Sequence, residues 1–122
     1  MGLDFTRRDR QLEAKEKGCP WEPAKNFDDF GAVGIVTPKK EIGLMCDAVI
    51  TLEVNGEKRQ SGDIKQMAYN VAELIAFLSA LQELKADDLI YTGMPSGVGR
   101  VIRGDRLVGK IDGLVDLNVC LV

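Results

Sequence analysis

The segment "AVITLEVNGEKRQ", residues 48–60, decides the fold class of this chain. Side chains alternate with a period of two from residue 49 to residue 54, which is typical of a half-buried strand. Asn55 and Gly56 follow at once, and this pair supplies the positive φ angles that a type I′ turn demands. The segment therefore predicts a β-hairpin whose turn lies at residues 55 and 56.

A second hairpin is predicted in "GDRLVGKIDGLVDLNVCLV", residues 104–122. Apolar positions alternate before and after Asp112 and Gly113, which form a turn signal. The run "GAVGIVTP", residues 31–38, is bounded by Gly and Pro and predicts a short buried strand. Because no βαβ rhythm is present, we expect a mostly antiparallel, β-rich α+β domain that spans residues 1–122 as a single unit.

Two short helices are predicted. Thr6 and Asp9 resemble a capping box ahead of "RRDRQLEAKEK", residues 7–17, a charged helix that ends at Gly18. Asn70 and Glu73 begin the second helix, "VAELIAFLSALQEL". Its apolar residues recur at helical spacing, which favours packing against the core over a binding surface. These residues are Val71, Leu74, Ile75, Leu78 and Leu81.

The composition excludes several functional classes. The chain of 122 residues has 16 Lys plus Arg, 19 Asp plus Glu and a net charge of −3, and no basic run is interleaved with aromatics. We therefore expect no nucleic-acid partner. No apolar run approaches the roughly 20 residues of a membrane span, and the charged start does not resemble a signal peptide, so we expect a cytoplasmic protein without a membrane partner.

Residue types also limit the chemistry. The chain has no histidine, which removes the commonest general base and metal ligand. Cys19, Cys46 and Cys120 lie far apart and are expected to be reduced bystanders. The glycine-rich stretch "GMPSGVG", residues 93–99, lacks the Lys-Ser/Thr of a P-loop and no helix pattern follows it, so nucleotide binding is disfavoured. Catalysis would need carboxylates, a lysine or a metal ion.

Five sequence blocks together resemble one family. In order they are "LDFTRRDRQ", "KGCPWEPAKNFDDF", "VNGEKRQSGD", "AELIAFLS" and "DDLIYTGMPSGVG". They look like the C-terminal half of the fumarylacetoacetate hydrolase family, in particular its acylpyruvate hydrolase and oxaloacetate decarboxylase branch. The resemblance implies a mixed β-sheet roll, commonly dimeric, that acts on small 2-oxo acids with Mg²⁺ or Mn²⁺. It covers nearly the whole chain.

The resemblance implies a role for five residues. Asp4 matches a metal ligand, Arg8 and Gln11 match positions that hold the substrate's carboxylate and oxo groups, and Lys25 matches the lysine that stabilises the enolate. Met94 stands where the family usually has a substrate-binding threonine. The alternatives are that Asp4 and Lys25 are merely solvated and that Arg8 forms a surface ion pair with Asp4 or with a helix acid.

The sequence departs from the family pattern in the metal site. The family holds its metal with two further acids in an upstream Glu-x-Glu motif, which this chain lacks, and the lid His and Glu are missing too. We therefore expect a domain that is incomplete at its N-terminal side and self-associates or binds a complementing half. Two hypotheses remain open: a metal-dependent hydrolase or decarboxylase, and a non-catalytic remnant that acts as a dimeric binding module.

Overall fold

The computed structural model of the protein describes residues 1–43, 45 and 47–122. Cys46 lies outside the described residues, and Cys19 and Cys120 are free thiols. The strands and helices follow one another in this order: β1 (Gly2–Asp4), α1 (Arg8–Glu16), α2 (Glu22–Lys25), β2 (Gly31–Val33), α3 (Lys39–Ile42), β3 (Val49–Val54), β4 (Glu57–Asp63), a 3₁₀ turn (Ile64–Gln66), α4 (Val71–Leu81), β5 (Arg106–Ile111) and β6 (Leu117–Cys120).

The two predicted hairpins form one four-stranded sheet in the order β4-β3-β5-β6, with each neighbouring pair antiparallel. The first turn is confirmed, because Asn55 has φ 53° and Gly56 has φ 82°. The Asn55 amide group also donates to the Asp105 carboxylate at 2.8 Å, and its oxygen accepts the Arg106 N–H at 2.9 Å. The turn of one hairpin is thereby tied to the start of the other.

A two-stranded β1–β2 ribbon packs against this sheet. Leu3 of the ribbon lies in the core cluster with Val54, Leu107 and Leu117 of the sheet. Leu107 is 2% exposed and is the largest fully buried side chain among the described residues. Burial of such side chains is the main favourable contribution to folding. The core therefore lies where the ribbon meets the middle of the larger sheet.

Two local predictions need correction, and two short helices were not predicted. The first helix begins at Arg8 with Arg7 as its N-cap and no side-chain cap, so the predicted Thr6 capping box is wrong. The predicted strand at residues 31–38 ends at Val33, and Ile35 and Val36 are exposed. The single-turn helices α2 and α3 were not predicted, since four residues are too few to show a helical period.

Helix α4 confirms one prediction and contradicts another. Asn70 accepts the Glu73 N–H at 3.0 Å and Glu73 accepts the Asn70 N–H at 2.8 Å, so the capping box is present. However, the apolar face is not buried: Ile75 is exposed and Leu81 is 69% exposed. Within the described part of the chain no helix or strand packs extensively on α4. Helical spacing alone could not show this, because it does not reveal what covers the face.

Residues 93–99 form an irregular loop that lies against β4. The pairing of β3 with β4 shifts between Leu52 and Glu53, which leaves Arg59 as an extra residue in a β-bulge. Gly97 has φ 108°, and a Cβ placed on it would overlap the carbonyl oxygen of Arg59. Gln60 donates to the Pro95 carbonyl at 3.3 Å. Among the described residues, strands β5 and β6 and no helix follow the loop.

The α+β class predicted from the sequence is confirmed. All strand pairs of the described residues are antiparallel, and the helices are confined to the connections between strands. Over the same residues, none of the helices combines the length and the apolar character that a membrane crossing requires.

Candidate active site

The alternation of strand β1 sets the position of Asp4. Leu3 points into the core, so Asp4, the next residue, projects to the opposite, solvent-facing side of the ribbon. Asp4 pairs with Gly31 of β2, and the Phe5 N–H donates to the Phe30 carbonyl at 2.8 Å just beyond. The Asp4 carboxylate therefore lies at the end of a strand that the buried Leu3 side chain anchors, and not in a loop.

Lys25 reaches Asp4 from the last turn of α2. The ammonium Nζ donates to Asp4 Oδ2 at 2.7 Å, and the two side chains are 38% and 42% exposed. At that exposure the pair contributes at most about 1 kcal/mol to stability. The structure thus brings together the predicted metal ligand and the predicted enolate-binding lysine, which are separated by 21 residues of sequence.

Arg8 and Gln11 meet on one face of α1, as their spacing predicts. Arg8 Nη1 donates a hydrogen bond to Gln11 Oε1. The alternative of an ion pair between Arg8 and Asp4 does not match this geometry, since Asp4 is paired with Lys25. A guanidinium held beside a side-chain amide offers several hydrogen-bond donors to a carboxylate and an adjacent oxo group.

Two contacts fix α1 to the segment that carries Lys25. The Arg7 N–H donates to the Ala24 carbonyl at 3.0 Å, and the Arg7 guanidinium lies 4.5 Å from the centroid of the Phe27 ring. A cation over an aromatic face at this distance is attractive. The sequence did not predict that Arg7 joins α1 to this segment. The signal that it offered was the aromatic residue Phe27, two residues after Lys25.

The remainder of α1 has the character of a solvated helix. Glu13 accepts hydrogen bonds from Lys17 at 2.8 Å and from Arg10 at 3.3 Å. The hydrogen bond and charge of Lys17, followed by those of Arg10, lower the pKa of the Glu13 carboxyl. Arg8 and Gln11 are not part of this network, which leaves them available for a ligand.

Met94 lies on the loop that packs against strand β4. It is 61% exposed, and its Sδ is 3.9 Å from Gln60 Nε2 on strand β4. A thioether is only a weak acceptor, so this contact places the loop against the sheet without adding a donor. The hydrogen bond of Lys25 is to Asp4, and the polar contact of Met94 is to Gln60.

The described residues do not by themselves fit a Mg²⁺ or Mn²⁺ ion. Such hard cations are held by several oxygen ligands, and Asp4 supplies one carboxylate that is already paired with Lys25. Among the residues that the structure describes, no three His, Cys, Asp or Glu side chains are grouped so that they could hold a metal. Asp4 can therefore contribute one ligand to a metal site but cannot complete it.

Comparisons with known proteins identify the family of the chain. The family model described as "Fumarylacetoacetate (FAA) hydrolase C-terminal" matches residues 1–122. Fumarylpyruvate hydrolase from Ralstonia sp is 40% identical over 118 residues, or 97% of this chain and 61% of that protein. The mitochondrial oxaloacetate tautomerase FAHD1 of Homo sapiens is 39% identical over 116 residues, or 95% of this chain and 52% of that protein.

A solved structure shows the same likeness. The crystal structure of fumarylpyruvate hydrolase from Pseudomonas aeruginosa in complex with Mn²⁺ and pyruvate superposes with a TM-score of 0.94 and 47% identity, and covers 99% of this chain and 52% of that one. The chain thus spans about half to three fifths of the length of these relatives. With the family model matching from its first residue to its last, this chain belongs to the fumarylacetoacetate hydrolase family.

Proposed function

We propose that this chain forms part of a catalytic site that breaks a C–C bond in a small 2-oxo acid, by hydrolysis of an acylpyruvate or by decarboxylation of oxaloacetate. The observation that carries the proposal is the Lys25–Asp4 pair at 2.7 Å, together with the Arg8–Gln11 pair on α1. The hydrogen bond from the Arg7 N–H to the Ala24 carbonyl joins the segments that carry the two pairs. Two relatives, a fumarylpyruvate hydrolase and an oxaloacetate tautomerase, favour the same substrate class.

In the proposed reaction each pair of side chains has a separate task. Arg8 and Gln11 bind the carboxylate and oxo oxygen of the substrate, because a guanidinium and an amide donate to adjacent oxygens. Water adds to the distant carbonyl carbon and gives up one proton. The bond from that carbon to the methylene group then breaks, a carboxylic acid forms at that carbon, and the electron pair passes to the pyruvate enolate. Lys25 stabilises the negative oxygen of that enolate, which then takes up a proton at carbon.

Decarboxylation of oxaloacetate would use the same residues. The bond to the terminal carboxylate breaks, carbon dioxide leaves, and the electron pair again forms the pyruvate enolate beside Lys25. A divalent metal bound by Asp4 together with ligands from outside the described residues would draw electron density from the 2-oxo acid.

We also propose that the apolar face of α4 is covered by a second copy of the chain or by a complementing polypeptide. Apolar faces of this kind seldom stay open in a monomeric protein. Phe77 and Leu81 are 65% and 69% exposed, which supports the proposal. Sedimentation should show a dimer or larger assembly of the purified chain, or a complex with the complementing polypeptide. A chain that stays monomeric at micromolar concentration in both experiments would contradict the proposal.

The catalytic proposal is tested by turnover of an acylpyruvate in the presence of Mn²⁺, followed by the loss of its ultraviolet absorbance. The chain is assayed alone and with a separate polypeptide that carries the family's Glu-x-Glu acids. Lys25→Ala should lower kcat by about 100-fold, the effect of removing one donor to a developing oxyanion. Lys17→Ala is the matched control, because it breaks an ion pair of 2.8 Å outside the site.

Two outcomes would overturn the catalytic proposal. One is the absence of turnover even with the complementing polypeptide, which would favour a non-catalytic binding module. The other is equal activity of the Lys25→Ala and Lys17→Ala variants.

A further inference from the structure

The Tyr91 ring lies on a floor made by two glycines of the β1–β2 ribbon. A Cβ added to Gly2 would come within 2.9 Å of Tyr91 Cε1, and a Cβ added to Gly31 would come within 3.0 Å of the Tyr91 hydroxyl oxygen. A contact of 2.9 Å requires something to shift and one of 3.0 Å is tighter than most, so a larger residue at either position would press on the tyrosine side chain. The absence of a side chain at Gly2 and Gly31 therefore leaves the space that the Tyr91 side chain occupies.

The register of the ribbon puts this floor on the same side as Asp4. Gly2 and Asp4 are two residues apart on β1 and share a face, and Gly31 lies directly opposite Asp4. Opposed Cβ positions in an antiparallel pair are about 4.5–5.5 Å apart, which puts the Tyr91 hydroxyl within about 8.5 Å of the Asp4 Cβ. A three- or four-carbon acid can span that distance.

The chemistry of the three groups is complementary. Lys25 presents a cation at Asp4, and Tyr91, which is 43% exposed, presents its hydroxyl to the same side of the ribbon. A phenol hydroxyl can donate a hydrogen bond to a carboxylate or enolate oxygen. A ligand between them would receive hydrogen-bond donors from two directions.

We propose that Tyr91 is a substrate-binding and specificity residue, whose hydroxyl donates a hydrogen bond to an oxygen of the 2-oxo acid held beside Lys25. This inference rests on the proposed function and adds a residue to it. The glycines at positions 2 and 31 support the role indirectly, because they set the distance of the hydroxyl from Asp4.

The test is the binding of pyruvate to the full chain, measured by titration of amide resonances in NMR spectra. Tyr91→Phe removes the hydroxyl and keeps the ring on its glycine floor. It should raise the Kd for pyruvate by about tenfold, the effect of losing one hydrogen bond to a charged acceptor. The matched control is Tyr69→Phe, which removes the other tyrosine hydroxyl of the chain from an exposed position and should leave Kd unchanged.

A second variant displaces the hydroxyl without removing it. Gly31→Ala puts a methyl group 3.0 Å from the Tyr91 oxygen at a backbone position that has no positive φ. It should also weaken pyruvate binding, whereas a purely structural tyrosine would change only the thermal unfolding midpoint.

The outcomes distinguish a failure of the role proposed for Tyr91 from a failure of the proposed function. If wild type and Tyr69→Phe bind pyruvate and Tyr91→Phe binds it equally well, the role of Tyr91 is wrong and the proposed function stands. If Lys25→Ala and the wild type alike fail to bind pyruvate even with Mn²⁺ and the complementing polypeptide present, the proposed function fails and this inference fails with it.

Discussion

The four-stranded sheet and the β1–β2 ribbon differ in whether their key side chains are buried or exposed. In the sheet, Leu107 and Leu117 are buried and the hairpin ends are tied together by Asn55. In the ribbon, Leu3 is buried, and the next residue, Asp4, projects into solvent toward Lys25. The sheet therefore supplies most of the stability, and the ribbon that packs on it presents charged groups to solvent. Substitutions in the sheet should therefore lower the free energy of unfolding more than substitutions of the charged groups of the ribbon.

The largest effect on stability is expected from Leu107→Ala. The side chain is 2% exposed and lies at the centre of the core cluster. Its removal leaves a cavity and should lower the free energy of unfolding by about 2–5 kcal/mol, measured by urea denaturation. Leu81→Ala on the open face of α4 is the control and should change it by about 0.5 kcal/mol or less in the monomeric chain. Equal losses would show that the two leucines are equally buried in solution.

Gly97→Ala should give the next largest effect. The residue has φ 108°, and its new methyl group would meet the carbonyl oxygen of Arg59 in the β4 bulge. Strain and overlap together should cost about 1–3 kcal/mol in the free energy of unfolding. Gly99→Ala provides the comparison, because the nearest atom to a Cβ there is the Gly97 oxygen at 4.0 Å. If Gly97→Ala were as stable as Gly99→Ala, the loop would not lie against β4 as described.

The Asp105 carboxyl should make the sheet sensitive to acid. The Ile102 N–H, then the Asn55 side chain and the charge of Arg59, lower its pKa from the usual 3.8. A carboxyl with a lowered folded-state pKa stabilises the protein above the unfolded value, and that contribution is lost as the pH falls through the folded pKa. The stability advantage of wild type over Asp105→Asn should thus be full near pH 7 and shrink below about pH 4.

Urea midpoints of the wild type and Asp105→Asn, measured across the pH range, check this expectation. An advantage of wild type over Asp105→Asn that grew on acidification would contradict the sign of the shift.

The smallest effect on stability is expected in the ribbon. Asp4→Asn breaks the 2.7 Å pair with Lys25, but both groups are partly exposed, so the free energy of unfolding should change by about 1 kcal/mol or less. Glu13→Gln, which weakens an exposed ion-pair network on α1, serves as the control. A loss comparable to that of Leu107→Ala would mean that the pair supports the fold and is not held ready for a ligand.

The contrast between predicted and observed helices has a physical cause. The Asn70–Glu73 capping box is a local interaction within one turn, so the sequence specified it correctly. The exposure of the α4 face depends on which other element lies nearby, and no periodicity contains that information. The Thr6 capping box was wrong for a related reason: the Arg7 N–H donates to the Ala24 carbonyl, and the helix starts one residue later.

By itself the sequence determined the hairpins, their turns, the antiparallel class and, through motif resemblance, the identities of Asp4, Arg8, Gln11 and Lys25 as candidates. These features follow from alternation, turn chemistry and residue order, which are local or linear properties. Only the tertiary structure decided that Lys25 meets Asp4 and that Tyr91 rests on Gly2 and Gly31. Such contacts join residues far apart in the chain, and they exist because packing of the ribbon on the sheet fixes where each backbone lies.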